Sequence, residues 1–106
     1  MKGRSNLEEL QEFLENVIVK TFTAKYTLFF KKRSALVPAD YQLWDMYREQ
    51  ASYFEGCRFI TQGDICRVIE KQVDKKVEAK LQMLRHLQII KESRKSSVVC
   101  YIWCKS

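Results

Sequence analysis

Two helix N-caps, followed by a strand, a basic turn and a second strand, constrain this chain more than any other feature. The stretch is Phe59–Trp103, FITQGDICRVIEKQVDKKVEAKLQMLRHLQIIKESRKSSVVCYIW. Thr61 suits an N-cap because its hydroxyl accepts from the unpaired N–H groups of a first helical turn. Asp64, three residues on, is placed to reach back to the Thr61 N–H in a capping box, although Glu is the commoner residue there. Ile60 and Ile65 take the hydrophobic-staple positions. These signals predict a helix over about Gln62–Lys71 with Ile65, Val68 and Ile69 inward, in which Gly63 costs roughly 1 kcal/mol of propensity relative to Ala. Asp74 caps a second helix in the same way. Val77, Leu81, Leu84 and Gln88, flanked by Leu87, form its inward stripe. Lys75, Glu78, Ala79, Gln82, Arg85 and His86 fall on the opposite, mostly polar face.

Ile89–Glu92 then reads as a short strand, and Ser93–Ser97 as a turn with two adjacent cations. Val98–Trp103 alternates Val98/Cys100/Ile102 with Val99/Tyr101/Trp103. Both faces are apolar, as expected of a strand covered on both sides or central in a small sheet. This order of elements resembles the winged helix-turn-helix DNA-binding superfamily. I-T-x-x-D-I-C-x-V-I matches the positioning helix and V-E-A-K-L-Q-M-L the recognition helix. L-R-H-L-Q-I-I-K-E leads into the wing, R-K-S-S is its tip and V-V-C-Y-I-W its return strand. Gln88 stands where many members of that superfamily have Gly. The resemblance implies a mainly α fold with a small antiparallel β-sheet (α+β), a winged helix domain over 38–106 and an N-terminal helical extension over 1–37.

It also implies binding of double-stranded DNA, through a recognition helix over 74–88 and a wing over 93–97. A helix fits the major groove. Lys75, Gln82, Arg85 and His86 would meet base edges and phosphates, and Lys76 and Lys80 would flank them on the backbone. Arg94, Lys95 and Ser96 at the wing tip would reach the backbone or a minor groove. Glu78 weighs against a purely electrostatic role, though a carboxylate accepts from cytosine N4. The charge distribution agrees with a polyanion partner. Residues 1–37 carry seven cations and four acids, 38–73 four and six, and 74–106 eight and three, within a net charge of +6. The expectation is a transcriptional regulator acting as a homodimer through residues 6–30, an arm that would set two recognition helices about 34 Å apart, one DNA turn. The alternative is a protein-interaction or scaffolding module in a larger assembly, because fold does not dictate function.

The rest of the chain supports a single domain of 106 residues with 46% hydrophobic and 30% charged residues. Ser5 with Glu8, or Asn6 with Glu9, suits the start of a helix. Leu7, Leu10, Leu14, Val17, Thr21, Ala24 and Leu28 keep one helical period. VIVKTFTAKYTLFFKK also has strand composition, but the period favours one long helix to Phe30. That helix either completes the core or pairs with a partner, with Tyr26, Phe29 and Phe30 as candidates for a second contact surface. Lys31-Lys32-Arg33-Ser34 is a basic loop, Pro38 opens a further helix over Ala39–Glu55, and Gly56 ends it.

No apolar run is long enough to span a membrane, and the N-terminus lacks the apolar region of a signal peptide. An intracellular protein is expected. Cys57, Cys66, Cys100 and Cys104 show no zinc-ligand spacing and are read as reduced, with Cys57–Cys100 or Cys57–Cys104 as candidate disulfides in an oxidising setting. Phosphate-binding glycine loops and nucleophile motifs are absent, and His86 is the sole histidine. Neither an enzyme nor a cofactor is expected.

Overall fold

The computed structural model of the chain describes residues 2–104, with side chains from residue 7 onward. The caps expected at Ser5 and Asn6 lie outside the described side chains. A helical path runs through α1 (Lys2–Phe13), a π-helical segment (Leu14–Val19) and α2 (Lys20–Phe29). The segment with mixed strand and helix composition is therefore helical. Its β-branched cluster Val17-Ile18-Val19, which crowds an α-helical turn, sits in the widened segment. The Thr21 hydroxyl donates to the Val17 carbonyl, which also accepts from Lys20 N–H at the end of the widened segment.

The widened turn moves the inward face. Leu10 and Phe13 are buried before it, Ile18 within it, and Thr21 and Lys25 after it. Leu14 and Val17 are half-buried, and Leu7 and Ala24 are exposed. The uninterrupted stripe through Leu14, Val17, Thr21, Ala24 and Leu28 is thus corrected by one inserted position.

Short 3₁₀ turns at Arg33–Ala35 and Pro38–Asp40 lead into α3 (Tyr41–Gln50), which is shorter than expected. A turn region continues to Gly56, whose φ of 77° suits a residue without Cβ. Two bonds tie α3 back to the end of α2. Arg48 donates to the Phe29 carbonyl at 2.9 Å and the Trp44 indole to the Lys31 carbonyl at 3.1 Å, satisfying acceptors that a helix end leaves open. Arg33 pairs with Asp45 at 3.5 Å and lies over the Tyr41 ring, so part of the basic loop is structural.

Next come β1 (Phe59–Thr61), α4 (Gln62–Ile69), α5 (Lys75–His86), β2 (Ile90–Lys95) and β3 (Val98–Trp103). The fold is mainly helical with one three-stranded antiparallel sheet of order β1-β3-β2. The capping box forms as read: Asp64 N–H donates to the Thr61 hydroxyl at 3.1 Å, and Thr61 N–H to the Asp64 carboxylate at 2.9 Å. Asp74 accepts from Val77 N–H at 2.9 Å. One core joins Leu10, Phe13 and Ile18 to Ile60, Ile65, Val77, Leu81, Leu84, Ile90 and Tyr101. Residues 1–37 therefore contribute to the same apolar cluster as α4, α5 and the sheet.

Gln88 and Leu87, placed on the inward stripe by spacing alone, are exposed. The helix ends at His86, and Gln88 turns left-handed at φ 61°. Ile89 N–H bonds the Leu84 carbonyl and Gln88 N–H the Arg85 carbonyl, which is a Schellman closure with Gln where Gly is usual.

The outer edge of β1 explains the most unusual burial. Arg58 C=O faces β3 and accepts from Trp103 N–H, so the N–H and C=O of Phe59 point away from the sheet. Phe59 N–H donates to the Tyr26 hydroxyl at 2.9 Å, and its carbonyl accepts from Lys25 Nζ at 2.7 Å and from Tyr26 at 3.3 Å. Two side chains of α2 thus close an edge strand that would otherwise invite pairing. Lys25 is only 2% exposed. Its ammonium lies 3.7 Å from the Phe59 ring centroid and 5.3 Å from those of Tyr26 and Tyr47. Burial pushes its pKa down to about 8, with the Asp64 carboxylate pulling the other way.

Candidate interaction surface

The surface singled out by the sequence is built from α5 and the β2–β3 hairpin. The hairpin is tighter and longer than expected. β2 continues through Arg94 and Lys95, Lys95 pairs with Val98, and only Ser96 and Ser97 form the loop. Both have positive φ, 52° and 67°, as a type I′ turn requires. The tip placed at 93–97 is therefore a two-residue turn at the end of two paired strands. Cross-strand partners share a face, so Arg94 lies with Val99 and Lys95 with Val98. The two adjacent cations leave opposite faces of the ribbon instead of forming one patch.

On α5, Val77, Leu81 and Leu84 are buried and Lys75, Lys76, Glu78, Arg85 and His86 are exposed. Gln82 is half-buried. Lys80 is withdrawn from the polar face: it is half-buried, lies over the Phe13 ring at 5.6 Å and shares a groove with Glu9 and Glu12 of α1. Arg85 approaches Glu92 of β2 at 3.8 Å. Two of the cations expected on a free face are thus engaged within the fold. Lys75 and Lys76 stand in the first turn of α5, where the helix dipole disfavours positive charge, unlike Asp74, which suits that end. The Val77 N–H holds the Asp74 carboxyl below its usual range, assisted by Lys71 at 3.3 Å. Tyr101, opposite Glu92, is pushed up to about 12 by burial, with Glu92 and Glu78 adding to the effect.

Lys91 of β2 is exposed as well and was missed by sequence reasoning, because it precedes the turn composition that drew attention to the tip. Exposed Lys75, Lys76, His86, Lys91, Arg94, Lys95 and Ser96 are therefore spread around two projections and interrupted by Glu78.

All four cysteines are free thiols. Continuing the β1–β3 register past Phe59↔Ile102 sets Cys57 opposite Cys104. Cys100 lies opposite Thr61, four positions further, about 13 Å along a strand from Cys57 and out of disulfide reach. Among the described residues no cluster of His, Cys, Asp and Glu is suited to a metal ion, and no helix is long and apolar enough to cross a membrane.

The model of the Spindle and kinetochore-associated protein 1 family matches residues 1–97. SKA complex subunit 1 of Xenopus tropicalis is 30% identical over 105 residues, covering 98% of this chain and 41% of that protein. SKA complex subunit 1 of Danio rerio is 27% identical over 103 residues, covering 96% and 40%. The chain spans about two-fifths of the length of these curated relatives. These matches overturn the assignment to the winged helix DNA-binding superfamily. Double-stranded DNA as partner, transcriptional regulation and the homodimer through residues 6–30 fall with it. The physical reason is twofold. A basic helix and hairpin report the sign of a partner's charge and not whether phosphates or carboxylates carry it. The arm assigned to dimerisation also places Leu10, Phe13, Ile18, Thr21 and Lys25 in its own fold.

Proposed function

The chain belongs to the Spindle and kinetochore-associated protein 1 family, and from that membership we propose that it is an intracellular protein-interaction module of a spindle or kinetochore assembly. Its role is structural rather than catalytic, and its partner surface is acidic protein. The family match over residues 1–97 carries this reading. The geometry supplies the means. Lys75 and Lys76 at the start of α5, His86 at its end, and Lys91, Arg94 and Lys95 on the hairpin project from a packed core. Gln82 and Ser96 add hydrogen-bonding groups between them. Glu78 marks a position where the partner presents a donor. Lys80 and Arg85 hold α5 to α1 and β2 and contribute less to contact. Cations leaving both faces of a narrow ribbon suit an extended carboxylate-rich surface, where charge complementarity raises the association rate more than the affinity.

The test is co-sedimentation with microtubules, the acidic protein polymer of a spindle, across a salt series. Paired reversals Lys75→Glu/Lys76→Glu and Arg94→Glu/Lys95→Glu should each weaken binding about tenfold at low salt, since exposed ion pairs contribute up to about 1 kcal/mol apiece. Binding that is indifferent to salt and to both reversals would remove the basic surface from the contact.

A further inference from the structure

A second surface, sharing no residue with the basic one, lies along the helical path of the N-terminal segment. Val19, Phe22, Tyr26 and Phe30 fall on one helical stripe about 16 Å long, and with Arg58 and Trp103 they line a groove of about 500 Å³. Phe30 is 63% exposed and Val19 42%. The rings pack against one another. Phe22 meets Trp103 edge-on at 5.4 Å, and Tyr26 and Phe30 lie 6.0 Å apart. The Arg58 guanidinium lies over Tyr26 at 5.1 Å and Phe30 at 5.7 Å. Fixed aromatics beside an arginine are the residue types that carry most of the energy in protein contacts.

Charge selects the occupant. Among the described residues Arg58 is the one charged residue lining the groove. The ion pairs among the described residues do not include it. A smaller cavity of about 190 Å³ opens from Tyr26, Phe30 and Arg58 and reaches Lys25, again with no carboxylate among the described residues of its wall. A wholly apolar occupant would cover Arg58 without a counter-charge, which is unfavourable. A second copy of the chain would bring two Arg58 side chains to one contact. We propose that this groove docks an amphipathic segment of a partner protein, with its apolar side chains on Phe22, Phe30 and Trp103 and a carboxylate at Arg58. This is the helix-in-groove mode of recognition, and it does not rest on the basic hairpin.

The probe is a fluorescein-labelled synthetic peptide of three helical turns with leucines at i, i+4 and i+7 and glutamates between. Its control carries lysines in place of the glutamates. The glutamate peptide should shift the Trp103 indole N–H resonance of the intact chain. Arg58→Glu and Phe30→Asp, both at exposed positions, should each weaken its binding at least about tenfold, whereas Arg94→Glu/Lys95→Glu should leave it within about twofold. Arg58→Glu should transfer preference to the lysine peptide. Equal binding of the two peptides by the unaltered chain, or loss of binding only with the hairpin reversal, would overturn the proposal. So would a concentration-dependent dimer abolished by Phe30→Asp, which would assign the groove to a second copy. Circular dichroism of each variant confirms the fold before binding is read.

Discussion

Lys25 makes the stability of this fold depend on pH in a way that can be measured. Its unfolded pKa is near 10.5 and its folded pKa about 8. Below pH 8 both states are protonated and the folded state bears the full burden of a buried ammonium, about 3 kcal/mol for a shift of this size. Between pH 8 and 10.5 the unfolded chain binds the proton and the folded chain does not, so stability rises with pH. For these two pKa values, the gain from pH 7 to pH 9 is about 1 kcal/mol. Cys100, Tyr26, Tyr47 and Tyr101 act with the opposite sign. Burial raises each of them, so they lower stability as pH climbs through the ordinary thiol and phenol ranges. The thiol contribution of Cys100 enters the same window from pH 7 to 9, so the lysine is isolated by comparison with a variant that lacks it and keeps Cys100. The perturbation is Lys25→Met, which fills similar space without a titrating group. At pH 7 the variant loses the bond to the Phe59 carbonyl, about 1.5–3 kcal/mol for a charge-assisted bond, and also loses the desolvation burden. These nearly cancel, so absolute stability is a poor readout. The slope is the test: urea unfolding at pH 7, 8 and 9 should show the unaltered chain gaining about 1 kcal/mol on the variant. A difference that stays flat over that range would refute the placement of Lys25 against the β1 edge.

Thr61→Ala removes the acceptor of the α4 capping box and should lower stability by about 1 kcal/mol, or roughly 4–8 °C in Tm for a domain of this size. An unchanged thermal melt would place the start of α4 elsewhere. Gln88→Gly relieves a left-handed non-glycine residue and should stabilise the fold by about 1 kcal/mol in the same assay, whereas a loss would mean that the Gln side chain makes a contact worth more than the strain. Continued two residues beyond Phe59↔Ile102, the β1–β3 register would set Cys57 against Cys104 at a non-hydrogen-bonded position, where Cα atoms stand about 4.5 Å apart. Diamide should therefore consume two thiols in an Ellman titration of the folded chain, and Cys57→Ser should prevent it. Buried Cys100 should react only on unfolding, and its oxidation in the native state would contradict the strand register.

What could be read from the chain itself was whatever local chemistry determines. The capping box at Thr61 and Asp64, the cap at Asp74 and the extent of β3 all follow from side chains within a few residues of one another and appear where expected, and of the two placements that the apolar faces of β3 allowed, the structure has the central one. The errors fall where a non-local effect prevails. Nothing in the period of residues 7–28 marks the widened turn, because its signal is the absence of a penalty-free α-helical site for Val17-Ile18-Val19. Arg94 and Lys95 have turn composition, yet cross-strand pairing with Val98 and Val99 extends β2 through them. Lys80 and Arg85 look free on a helical wheel, and only the packing of α1 and β2 engages them.

The same distinction explains why charge misdirected the choice of partner. A cationic helix and hairpin set the sign of what they attract, and phosphates and carboxylates satisfy that equally well. Discrimination comes from groups that lie far apart along the chain. Lys25, Tyr26 and Phe30 come from the N-terminal segment, Arg58 from the residue before β1 and Trp103 from the end of β3, and they meet only because α2 closes the outer edge of β1. An aromatic groove whose described lining holds the single cation Arg58 and no anion is poorly suited to a phosphate backbone, since its rings require an apolar occupant to exclude water from Phe30 and Trp103. It is suited to a protein segment that supplies both leucine-like side chains and a carboxylate. The shape of the molecule thus favours protein over nucleic acid as its partner by an argument independent of sequence similarity, and one that no windowed reading of residues 1–106 contains.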